Sequence, residues 1–132
     1  MPGRRKAMHI PCQGRRQRRG RRLLLRPTLL VILLEGQSHG YQLSERLEDY
    51  GFDPDLLDSS VVYRDLRDME DRGLIDSHWD EESKGPRRRV YRINQTGLAC
   101  LQSWMNGLQD VRDRIGGLIN HYQTLAEEVG EG

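Results

Sequence analysis

Between Ser59 and Thr96 the spacing of apolar residues changes once, and the change falls at a glycine. Val62, Leu66 and Met69 recur at the interval of one helix face, and Gly73 ends the pattern. Two short apolar runs follow, Leu74, Ile75 and Trp79 and then Val90, Tyr91 and Ile93, on either side of a turn segment, Asp80 to Pro86, with Lys84 and Gly85 in it and Arg87-Arg88-Arg89 after it. Few folds accept that punctuation. Asp58 and Ser59 are both good N-caps for the helix, Gly73 suits the left-handed residue that closes it, and the runs beyond are too short to be anything but hairpin arms. The opposite helix face offers Ser60, Tyr63, Arg64, Arg67 and Asp71 to solvent or a ligand.

The flanking segments give this unit its setting. Leu29 to Leu34 is apolar nearly all round, Pro27 suits a helix's first turn, and Glu35-Gly36 ends the run, which predicts a first helix buried on more than one side. Gly36 to Gly40 reads as a turn. Tyr41, Leu43, Leu47 and Tyr50 then predict a short amphipathic second helix up to Gly51, and Pro54 breaks the chain after it.

Thr96 is expected to cap a long C-terminal helix. Its apolar residues Leu101, Trp104, Leu108, Val111, Ile115, Leu118, Tyr122, Leu125 and Val129 alternate spacings of three and four, which is a coiled-coil seam. A small preceding domain covers only part of such a stripe, so the seam implies a partner, most simply a second copy of the chain. Gly116-Gly117 costs about 1 kcal/mol per glycine relative to alanine, and a kink or close approach is expected there, not a helix end.

Net charge is only +1, which by itself argues against a partner as acidic as nucleic acid. The sum conceals an asymmetry: residues 1–22 hold nine of the 21 basic residues and none of the 20 acidic ones, so they carry +9 and the remaining 110 residues carry −8. This leading stretch, with its prolines and glycines and little to bury, predicts a disordered arm. Cys12 and Cys100 do not make a disulfide framework. His9 and Cys12 have a ligand-like spacing, yet a structural zinc site needs four ligands, so no metal and no cofactor are expected. His39, His78 and His121 lack a nucleophile at a meaningful spacing, and no glycine loop cradles phosphate, which argues against an enzyme. Leu23 to Leu34 is interrupted by Arg26 and Pro27 and is far short of the roughly 20 residues of a membrane span. A cytoplasmic protein without a membrane partner is expected.

The fold class expected is mainly α with a small β-hairpin: an arm over residues 1–22, a winged helix-turn-helix domain over 23–95, and a coiled-coil-like dimerisation helix over 96–129. A helix followed by a basic-tipped hairpin is the reading unit of a winged-helix DNA binder. Helix three then supplies Ser60, Tyr63, Arg64 and Arg67 to double-stranded DNA, and the hairpin supplies Lys84, Arg87, Arg88 and Arg89 to phosphate or the minor groove. Strand alternation sets Arg87 and Arg89 on one face and Arg88 on the other. Asp65 and Asp68 would repel phosphate if they faced it, so they are expected at the edge or holding the arginines in position. The plainer reading has Arg64 and Arg67 pairing with Asp68 and Asp71 on a solvated helix. For the seam, Leu101, Trp104, Leu108, Val111, Ile115, Leu118, Tyr122 and Leu125 are the dimerisation residues, and Trp104, Tyr122 and the aliphatics around them could instead line an effector pocket. A different class of function is a non-sequence-specific architectural DNA-binding protein dominated by the arm, and a third is a protein-protein module whose helix three docks on a partner.

Three separated motifs, His39-Gly40-Tyr41-Gln42-Leu43, the stretch Val62 to Ile75, and Gly85 to Gly97, occur in an order and spacing that resemble the PadR family of transcriptional regulators. The likeness covers roughly Leu23 to Tyr122 and is closest to the small subtype with one C-terminal helix. It implies a winged helix-turn-helix homodimer on a palindromic operator, commonly a repressor released by a small-molecule effector. Asn94 stands where the family usually has Leu or a relative of it, and Met69 replaces a usual Leu. The arginine-rich arm lies outside the shared domain.

Overall fold

The computed structural model describes residues 20–82 and 84–131. These fall into two compact units, residues 20–102 and residues 103–131. In chain order the elements are α1 (Gly20–Glu35), β1 (Ser38–His39), α2 (Gly40–Arg46) with a 3-10 turn (Leu47–Tyr50), α3 (Ser59–Asp71), β2 (Ile75–Trp79), β3 (Arg89–Ile93) and α4 (Gln95–Glu131). The arm expected over residues 1–22 lies largely outside the described residues, as do His9 and Cys12; residues 20–22 belong to α1.

Helix α1 corrects the placing of its start. It begins well before Pro27, which therefore sits in the interior and leaves one helical hydrogen bond unmade. The turn ahead of the proline is held from outside: Leu25 is fully buried, and Arg26, 7% exposed, forms ion pairs with α3. Leu29, Leu30, Ile32 and Leu33 are buried as well, so this helix does pack on more than one side, as its all-round apolarity predicts.

Against it lie Leu43 and Leu47 from the second helix and Val62, Leu66 and Met69 from α3, all buried. Asp58 is the cap that α3 uses, its carboxylate accepting the Ser60 N–H at 3.0 Å. At the other end Gly73 has φ of 82°, a conformation costly for any residue with a Cβ, and Leu74 N–H bonds Met69 carbonyl at 2.9 Å. The chain leaves directly into β2.

The sheet has three antiparallel strands in the order β1-β3-β2. The hairpin register pairs Ile75 with Ile93 and Trp79 with Arg89, while Ser38 and His39 pair with Tyr91 and Val90. Strand β1 was not anticipated, since Gly36 to Gly40 reads only as a turn. Two residues carry no periodicity, and their partner lies some fifty residues on.

A second correction concerns the cap of α4. It is Asn94, not Thr96: the helix starts at Gln95, and the Asn94 side-chain oxygen accepts the Gly97 N–H at 2.9 Å. The same side chain donates to Gly73 carbonyl at 3.0 Å and to Asp76 at 3.2 Å, and its backbone N–H reaches Leu74 carbonyl at 3.3 Å. One residue thus joins the end of α3, the base of the hairpin and the start of α4. The departure from the family pattern at this position has a structural use.

Helix α4 runs without a break through Gly116-Gly117, and a Cβ at either would meet nothing within 4 Å. Its seam divides by exposure. Leu101 and Trp104 are buried within the single chain, Leu108 and Val111 are half-buried, and Ile115, Leu118, Tyr122, Leu125 and Val129 are exposed. Among the described residues no helix is long and apolar enough to cross a membrane.

Candidate nucleic-acid interface

Helix α3 sorts its side chains by their chemistry. Val62, Leu66 and Met69 turn inward, and Ser60, Tyr63, Arg64, Arg67 and Asp71 are exposed. Among the described residues neither Arg64 nor Arg67 forms an ion pair, so pairing with Asp68 and Asp71 does not occupy them.

The aspartates are used elsewhere. Asp65, 5% exposed, accepts from Arg26 at 2.9 Å; Asp68 accepts from Arg26 at 2.8 Å and from Arg72 at 2.9 Å. This corrects the expectation that these carboxylates hold arginines of their own helix's outer face, since the main clamp is Arg26 of α1. Burial works against the Asp68 carboxylate, but hydrogen bonds and charge from Arg26 and Arg72 outweigh it and hold its pKa below the usual range. For Arg26 burial acts in the opposing sense too, and the two aspartates more than offset it, raising its pKa. The charges of Asp65 and Asp68 are thereby taken up behind the helix, while Asp71 stays exposed beside Arg64 and Arg67 on the outer face.

The second helix approaches this face closely. A Cβ on Gly40 would lie 2.3 Å from Tyr63 Cε1, so α2 meets the Tyr63 ring of α3 at a glycine, and a larger residue there would displace that ring. His39 precedes it, donating its backbone N–H to Gln42 Oε1 at 2.8 Å, with its ring Nδ1 3.0 Å from the same oxygen and its Nε2 3.1 Å from Asp80 Oδ2. The hydrogen bond from His39, helped by the Glu82 N–H, keeps the Asp80 carboxyl below its ordinary pKa. The root of the hairpin turn is thus tied to the start of α2.

Arg87 and Arg88 precede β3 and only Arg89 lies in it, yet the three side chains alternate between two sides. Arg87 and Arg89 both lie over the Trp79 ring, 5.2 and 4.8 Å from its centroid. Arg88 lies over Tyr41 at 4.9 Å and donates to its hydroxyl at 2.8 Å. Lys84 is exposed in the turn. Between the hairpin and the two helices a cleft of 240 Å³ is lined by His39, Gly40, Tyr41, Tyr63, Arg88, Arg89 and Tyr91. Its rim carries hydroxyls and guanidiniums, which suits an anion.

Arg26, Trp79 and Tyr41 were not singled out from the sequence. Arg26 read only as an interruption of an apolar run. A signal existed in Asp65, which shares the inward face with Val62 and Met69 and so required a buried partner. Trp79 read only as a strand residue, although its place opposite Arg89 follows once the hairpin is in register. No group of acidic, histidine or cysteine side chains suited to a metal occurs among the described residues.

Two helices joined through a 3-10 turn and the segment 51–58, the second with Arg64 and Arg67 exposed, followed by a basic hairpin, define a winged helix-turn-helix DNA-binding protein. Residues 29–103 match the family of PadR-like transcriptional regulators, more than half of the chain. The chain belongs to that family and is a DNA-binding transcriptional regulator. It resembles a conserved protein of unknown function described as a potential transcriptional factor, with 32% identity, a TM-score of 0.73, and coverage of 86% of this chain and 99% of that one. A PadR family transcriptional regulator from Eggerthella lenta is 29% identical, with a TM-score of 0.66, over 75% of this chain and 84% of its own. The fold is also that of Bacillus subtilis PadR solved with operator DNA, at 19% identity and a TM-score of 0.54, over 62% of this chain and 47% of that one.

Proposed function

We infer that the chain is a homodimeric, sequence-specific regulator in which α3 reads base edges in the major groove and the wing contacts the flanking backbone. The observation that carries this is the state of α3: Arg64 and Arg67 are exposed and without ion pairs among the described residues, while Asp65 and Asp68 of the same helix are taken up by Arg26. Arg64 is three residues from Arg67 on one face, and Ser60 and Tyr63 sit toward the helix N-terminal end, where side chains reach bases or phosphates and the helix dipole favours an anion. Lys84, Arg87, Arg88 and Arg89 serve the phosphates or the minor groove.

The exposed part of the seam supports the dimer. Ile115, Leu118, Tyr122 and Leu125 stand in solvent at coiled-coil spacing, with Leu108 and Val111 beside them, and a second copy would cover them. Leu101 and Trp104 are already buried and contribute less to that contact. Two-fold pairing would make the operator palindromic. A repressor released by a small molecule, acting in the cytoplasm, completes the reading, and the seam around Trp104 and Tyr122 is the place for such an effector.

Selecting bound fragments from the organism's genomic DNA with the purified protein tests it. A two-fold symmetric motif is expected. Arg64→Ala should weaken binding to that motif by about 1 to 3 kcal/mol and relax its sequence preference. Equal losses on the motif and on random duplex would exclude base reading by Arg64, and loss of nearly all binding on deletion of residues 1–22 would favour an architectural protein.

A further inference from the structure

Trp79 occupies the outer end of β2, opposite Arg89, and is 45% exposed. So open an aromatic contributes little to a core. What it carries is a pair of guanidiniums, Arg87 at 5.2 Å and Arg89 at 4.8 Å from the ring centroid. An arginine free in solvent samples many rotamers, and an anion that binds it must order it first. A guanidinium resting over a ring has lost that freedom already, yet its N–H donors lie in its own plane and stay open to a phosphate.

We propose that Trp79 is a positioning residue for DNA binding, holding Arg87 and Arg89 as a preformed pair that meets two backbone phosphates together. This rests on the DNA-binding reading given above. Arg88 points to the other side, fixed on Tyr41 by its stacking and by the 2.8 Å hydrogen bond. The wing therefore presents its cations as two preset groups rather than as three loose side chains. Glu81 also reaches Arg87, at 3.3 Å and well exposed, and such a pair is weak enough for a phosphate to displace.

The test uses full-length protein and a duplex recovered in the genomic selection, with affinity measured across a salt series. Trp79→Leu should weaken binding about tenfold, from the added cost of ordering two side chains. It should leave the slope of log affinity against log salt as it is, because the same phosphates are neutralised. The Arg87→Ala, Arg89→Ala double variant should flatten that slope by roughly two. Adding Trp79→Leu to the double variant should cost nothing more. Trp79→Phe, which keeps a ring, should stay within about threefold of the wild type in the arginine background and equal its parent in the alanine background.

A Trp79→Leu protein that binds like the wild type overturns the proposal, and so does a tenfold loss that persists without the two arginines. Should Trp79→Leu lose its helical circular dichroism, the Trp79→Phe pair decides alone: equal losses in both backgrounds overturn the proposal. Wild-type protein that selects no duplex refutes the DNA reading instead, and that measurement comes first.

Discussion

Replacing Arg26 by methionine removes a charge that two carboxylates of α3 depend on. Its side chain and that of Asp65 are each only 8% exposed, so the substitution leaves a carboxylate in the interior with no cation beside it. Breaking such a pair from one side costs about 3 to 5 kcal/mol. Asp68 softens the effect, since it is 37% exposed and keeps Arg72 at 2.9 Å, and the lower end of that range applies. At roughly 4 °C per kcal/mol for a domain of this size, a loss of about 3 kcal/mol lowers Tm by about 12 °C. Urea unfolding followed by helical circular dichroism, at one fixed protein concentration so that self-association does not enter, measures it. The decisive comparison is the double variant Arg26→Met, Asp65→Leu. Replacing a whole buried pair by apolar groups is often neutral, so the double variant should return to within about 1 kcal/mol of the wild type. A single variant that loses less than about 1 kcal/mol, or a double variant no better than the single, would falsify the argument that desolvation of Asp65 sets the cost.

Gly97→Ala should destabilise by about 2 to 3 kcal/mol although alanine is the better helix former by about 1 kcal/mol, because its Cβ would lie 2.1 Å from Leu74 carbonyl oxygen and 2.9 Å from Ile93 Cγ1; Gly117→Ala, which meets nothing within 4 Å, should raise Tm instead. Asn94→Ala should cost about 2 kcal/mol through the lost cap and the unmet Gly73 carbonyl. Asn94→Asp should be no better in thermal melts, since it keeps the cap acceptor but turns an oxygen toward Gly73 carbonyl and Asp76. The Asp68 carboxyl has a folded pKa below its unfolded one, so its contribution is present above about pH 4 and is lost as pH falls through the folded value. The Tm gap between wild type and Asp68→Asn should accordingly narrow in acid, and a gap that stays constant down to about pH 2 would argue against the Arg26 and Arg72 pairing.

What could be read ahead of the structure was whatever repeats along the chain or depends on one residue's backbone. The inward face of α3, the stop at Gly73, the hairpin arms and the seam of α4 all follow from periods of 3.6, 2 and 3.5. The strand period also predicts the alternation of Arg87, Arg88 and Arg89, although only Arg89 lies in β3. Elsewhere a local rule was overridden. Proline favours a first turn, but Pro27 lies inside α1 because Leu25 and Arg26 bind the preceding turn to the rest of the domain. Threonine is a good cap, but Asn94 takes the place because its amide also reaches Gly73 and Asp76.

The sequence alone determined the main helices and the hairpin, though not β1 or the start of α1, and which helix face and which turn carry the cations, because those are matters of local spacing and of the reach of neighbouring residues. Only the tertiary structure decided where the charges go. Arg26 meets Asp65 and Asp68 across about forty residues, Arg88 meets Tyr41 across 47, and His39 meets Asp80 across 41. No period in the chain encodes such pairings, since they arise when packed elements bring unlike groups together in a medium where an unpaired charge is costly. That pairing takes up Asp65 and Asp68 of α3 and leaves its two outer arginines available.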